Sequence, residues 1–181
     1  MKRLILFLVI AGLAASCGHP LSSLRTDLER RDALSAEYIL PKADTQLCAA
    51  GVAQMEKAAT ALLVSVTYGD TEGRFGYANR AERVILLDSG MTSCGRLEVL
   101  SHELAHFLQP KGLSGPEGQM FCDGVSYLVV RALGGYDPKT RYAVFLATYK
   151  PSGRVLTILE REIEAVAAML VSGTVSGVDL R

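Results

Sequence analysis

Apolar residues open the chain as an uncharged run from Leu4 to Ala15 behind Lys2 and Arg3. That is the length of a signal-peptide core and short of the ~20 residues a membrane span needs, so the run predicts an export signal over residues 1–16. Mixed charges then fill residues 18–42 (Arg25, Asp27, Glu29, Arg30, Arg31, Asp32) up to Leu40-Pro41, which predicts a tether with a short surface helix. From Ala43 to Leu63 the apolar positions Leu47, Val52, Met55, Ala58, Ala59 and Leu62 recur at helical spacing, with Asp44 or Thr45 as the cap. Three short β-like runs follow, Val64–Tyr68, Arg74–Ala78 and Arg83–Asp88, separated by Gly and charged turns. Ser89-Gly90 breaks the pattern, and a helix over Arg96–Gln109 is stopped by Pro110. Ser114-Gly-Pro-Glu117 reads as a capping box that starts a helix from Pro116 to about Leu133, ended by Gly134-Gly135. Asp137-Pro138 opens another helix to about Tyr149, and an amphipathic helix runs from Gly153 to Leu170. One helix, a small three-stranded sheet and four further helices make an α+β domain over residues 43–181.

The chain has 181 residues, 49% hydrophobic and 21% charged, enough for one domain with its own core. Basic and acidic residues number 19 each and the basic ones do not cluster, which argues against a nucleic-acid partner. Leu13-Ala14-Ala15-Ser16-Cys17 resembles the lipobox of bacterial lipoproteins. The resemblance implies that Cys17 is lipidated, with palmitate among the acyl chains, and becomes the first mature residue. Gly18 behind it implies an outer-membrane anchor facing the periplasm. Loss of residues 1–16 leaves 17 basic against 19 acidic side chains. No later stretch reaches 18 apolar residues, so the expectation is a water-soluble domain held to the membrane by its N-terminal lipid. Cys48, Cys94 and Cys122 then sit in an oxidising compartment, where one disulfide and one buried thiol are expected and spacing does not choose the pair.

The chemistry concentrates in His102-Glu103-Leu104-Ala105-His106, within a predicted helix. Residues four apart share a helical face, so His102 and His106 can offer ring nitrogens to one ion, while Glu103, about 100° round, is placed to deprotonate a water. Apolar Val99, Leu100, Leu104, Ala105, Phe107 and Leu108 seat the helix in a core. His19 sits two residues from Cys17 and cannot easily reach a folded site. Metzincin spacing would need Gly at 109 and His at 112, where Gln109 and Gly112 stand. A third ligand must therefore come from a carboxylate, or failing that a sulfur or amide, on the following helix. This makes a gluzincin-like site.

From His102 to about Met169 the chain resembles zinc metallopeptidases of the HtpX heat-shock protease and CAAX prenyl endopeptidase family. That family runs H-E-x-x-H, then E-x-x-A-D on a second helix, then G-Y-D-P, then a helix entered near an Arg. Here stand His102-Glu103 and His106, Gln119-Met120-Phe121-Cys122-Asp123, Gly135-Tyr136-Asp137-Pro138, and Lys150-Pro151-Ser152-Gly153-Arg154. Gln119 occupies the position of the family's third ligand, and Asp123 matches the Asp that orients a ligand His. Asp123 is accordingly favoured at the metal, as ligand or as partner of a ligand, with Gln119 or Glu117 as the alternatives. Cys122 beside it is read as a buried or disulfide-bonded thiol.

The expectation is a zinc-dependent endopeptidase of the bacterial envelope acting on a protein or peptide. Zn2+ is held by His102, His106 and a third side chain, and Glu103 serves as general base and then acid. Tyr127 and Tyr136 are candidate electrophiles by residue type only. The strand over Arg83–Asp88 offers an edge for extended peptide. The alternative expectation is a catalytically inactive envelope lipoprotein serving as a binding or assembly module, which Gln119 favours and Glu103 disfavours.

Overall fold

Thr45, in an extended backbone conformation, accepts a hydrogen bond on its side chain from the Cys48 amide and so starts α1, Gln46–Ala61. The computed structural model describes residues 41–136 and 153–174. The signal segment, Cys17, His19, the surface helix and the helix expected from Asp137 lie outside them. After α1 come β1 (Ser65–Gly69), β2 (Gly76–Asn79), β3 (Val84–Asp88), α2 (Ser93–Leu108), α3 (Gly115–Val129) and α4 (Gly153–Ser172). A π-helical turn over Val130–Gly134 prolongs α3. Gly135, at φ +70° in the left-handed region that glycine enters without penalty, ends it. Four α-helices and a three-stranded mixed sheet give the α+β class among the described residues. None of these helices is long and apolar enough to cross a membrane.

The strand order is β1-β3-β2, with β1 parallel and β2 antiparallel to β3. This corrects the expectation that Arg83–Asp88 is an edge, because β3 is paired on both sides. Its unbroken apolar run Val84-Ile-Leu-Leu is the composition of an interior strand. Ile85 and Leu87 point to the core and are fully buried. β2 is an edge, and it lies tight against α2: a Cβ on Gly76 would stand 2.8 Å from Leu87 Cδ2 and 2.9 Å from Val99 Cγ1. A larger residue there would force those side chains to shift.

α2 touches α1, α3, β2 and β3 and is the axis of the molecule. Thr92 caps it and Pro110 follows its end, as the sequence predicts within three residues. The capping box at Ser114 is not made. Ser114 is the N-cap but forms no side-chain cap bond, and Pro116 leaves the helix's first turn one amide donor short.

Cys48 and Cys94 form a disulfide, 46 residues apart in sequence, that joins the first turns of α1 and α2. A closed loop of that length stabilises the fold by about 4 kcal/mol in the chain-entropy account. Replacing both cysteines by Ser should lower the urea unfolding free energy by about that much. A loss under about 1 kcal/mol would mean the bridge restrains little of the unfolded chain.

Candidate metal centre

The apolar positions of α2 bury it nearly throughout, and this carries its polar side chains inside as well. Glu98 (2% exposed), Ser101 (0%), His102 (4%) and Glu103 (8%) are all buried. A buried polar group without a partner costs about 1–3 kcal/mol, so their partners matter. α3 supplies partners along this face. Ser126 Oγ donates to the Glu98 carbonyl at 2.8 Å and Ser101 Oγ donates to Ser126 Oγ at 3.0 Å. One turn on, His102 Nδ1 lies 2.8 Å from Asp123 Oδ1. A carboxylate at Nδ1 favours the proton there and leaves Nε2 as the nitrogen to present to an ion.

His106 sits half-buried one turn further along α2. Its ring meets that of His102 edge to face, with centroids 5.0 Å apart and planes at 81°. Cys122 Sγ is 3.2 Å from His106 Nδ1, and Gln109 Oε1 is 3.4 Å from the same atom. His102, His106 and Cys122 can each supply one ligand atom, and these atoms lie within 4.8 Å of one another. Donors around a zinc-sized ion are roughly 3–4 Å apart, so the group could hold a metal ion with small adjustments. Two imidazoles and a thiol suit a borderline-soft cation better than Mg2+ or Ca2+.

The side chains expected at the site fall into three sets. His102 and Glu103 lie in the buried stretch of α2, and His106 is half-buried just beyond it. Asp123 is present, but against His102 Nδ1 and not within the group of three donors. Glu117 and Gln119 are exposed in the first turns of α3, and Glu117 is outside the group. Both tyrosine hydroxyls are engaged: Arg131 Nη1 donates to Tyr127 at 3.0 Å, and Tyr136 donates to Glu98 Oε2 at 3.3 Å. Burial and the Glu98 carboxylate both raise the Tyr136 pKa, so it remains a protonated packing residue.

Cys122 and Gln109 are the members that sequence reasoning set aside. Gln109 carries a local signal, since it lies three residues past His106, at the C-cap of the same helix. Cys122 carries one only when paired with the register of two helices. No protein-family model, curated protein or solved structure matches this chain.

Burial, and then the neighbouring His102, push His106 down to about 4. A neutral ring is the form that binds metal. In metal-free protein the unfolded chain takes up this proton as pH falls below about 6.5 while the folded ring resists to about 4. Stability should therefore decline across that window as pH falls. Urea midpoints of wild type and His106→Gln, compared in the presence of a chelator, should show a shallower decline in the variant. Parallel curves would assign the loss to other groups.

Proposed function

We propose that this chain is a zinc-dependent endopeptidase, anchored in the bacterial envelope by lipid on Cys17, that hydrolyses a protein or peptide. The observation that carries the reading is the pair of facing imidazoles on buried α2, with Glu103 between them in sequence and Asp123 behind one of them. His102 and His106 would hold the ion, with a third donor from α3, where Cys122 and Asp123 are at hand. Bound zinc supplies Lewis acidity and lowers the pKa of water at an open position toward ~7.

Glu103 takes the proton of the attacking water and returns it to the leaving amine. At 8% exposure it works largely shielded from solvent, where its charge acts more strongly. Asp123, against His102 Nδ1, would hold the ring so that Nε2 is the nitrogen left to bind the ion. Extended substrate would pair with edge strand β2, which runs beside α2 and carries exposed Phe75 and Tyr77 near its start. The second reading, an inactive binding or assembly module, is favoured by the exposure of Gln119 at the family's third-ligand position.

Glu103→Gln should lower hydrolysis of an unfolded protein substrate by about 10²- to 10⁴-fold while keeping about one zinc per chain. His102→Ala should lose the zinc. Wild-type protein that stays zinc-free after preparation in zinc-containing buffer would move the assignment to the binding module. Activity unchanged in Glu103→Gln would belong to a contaminant.

A further inference from the structure

The residue that breaks the metzincin pattern, Gln109, has its side-chain amide fixed from both ends. Arg80, just beyond β2, donates through Nη2 to Gln109 Oε1 at 2.7 Å, and Gln109 Nε2 donates to the Leu113 carbonyl. The amide lies in the notch left by Gly118: a Cβ there would stand 2.6 Å from Gln109 Nε2. With nitrogen committed to Leu113 and oxygen to Arg80, the amide presents oxygen to the His106 ring. That oxygen has no proton to give.

We propose that Gln109 is a positioning residue for His106: its Oε1 holds the imidazole as the Nδ1–H tautomer and so turns Nε2 toward the metal. This rests on the metal-centre reading above and adds to it the device that orients the second histidine. Each imidazole then has an oxygen at Nδ1 from a different source, Asp123 of α3 for His102 and Gln109 at the end of α2 for His106. Cys122 Sγ, 3.2 Å away, is the competitor for the same nitrogen. A thiol donating to Nδ1 would need a bare lone pair there, and that lone pair would face Gln109 Oε1 at 3.4 Å without a proton between them. The fixed amide selects the other arrangement, in which the ring carries the proton. Arg80 links this device to β2, so the strand expected to receive substrate and the ring expected to hold metal are joined through one amide.

The test uses the full chain and two readouts. ¹⁵N NMR of histidine-labelled, metal-free wild type should show His106 protonated on Nδ1, and Gln109→Leu should shift the ring toward the Nε2–H form. Zinc titration should give Gln109→Leu an affinity about 10- to 100-fold below wild type, as for other partners of ligand histidines. Gln109→Glu, which keeps an acceptor oxygen at that place, should recover most of it. Arg80→Ala, an exposed change outside the centre, should produce part of the Gln109→Leu loss and stands in if that variant does not fold by circular dichroism. A wild-type His106 with its proton on Nε2, or equal zinc affinity in wild type, Gln109→Leu and Arg80→Ala, would overturn the proposal. Wild-type protein that binds no zinc but shows the Nδ1–H tautomer would overturn the metal centre and leave the orienting role of Gln109 standing.

Discussion

The row of polar contacts between α2 and α3 sets the register on which the rest of the structure depends. Going up α2 and down α3, the Glu98 carbonyl and Ser101 meet Ser126, His102 meets Asp123, and His106 meets Cys122. Apolar packing fills the space between the helices, and satisfied polar pairs add specificity to their alignment. A slip of one turn would separate all three rungs at once and leave buried polar groups without these partners. The helices are held together by burial, and the polar row decides how they align.

The legible part of this arrangement was the part encoded within one element. His102 and His106 share a face because four residues nearly complete a turn, and the apolar residues around them predict a helix sunk in a core. Asp123 came through a family pattern on the next helix. The roles of Cys122 and Gln109 were not legible, because they follow from which rung of α3 faces which turn of α2. Strand order was equally hidden, although the continuous apolar run of β3 carried a hint that favours an interior place over an edge. The capping box was legible only as residue types: Ser114 takes the N-cap place, yet its side chain makes no cap bond.

A fold built for stability alone would not place these side chains in the middle of α2. Well-packed apolar residues in place of buried polar pairs often match or exceed their stability. Glu98, Ser101, His102 and Glu103 fall on a helix otherwise lined by Leu97, Leu100, Leu104 and Ala105, each buried to 3% exposure or less. Local choices that run against packing are expected where a site is being assembled. The disulfide fits this view: it fastens the N-terminal end of α2, away from the histidines, and stabilises the helix that carries the polar residues without entering their surroundings.

The enzymatic and inactive readings part at the use made of Glu103. A domain that bound a metal only to hold its shape would gain from a closed shell of four ligands and would have no use for a carboxylate one residue from a ligand histidine. Burying that carboxylate costs desolvation that a structural site need not bear. The same reasoning applies to the orientation of the rings. Two imidazoles fixed at Nδ1 by separate oxygens are preorganised, and preorganisation matters most where the geometry of attack must be held closely. Both arguments weigh toward chemistry at this centre, and they do so from what the residues cost where they stand.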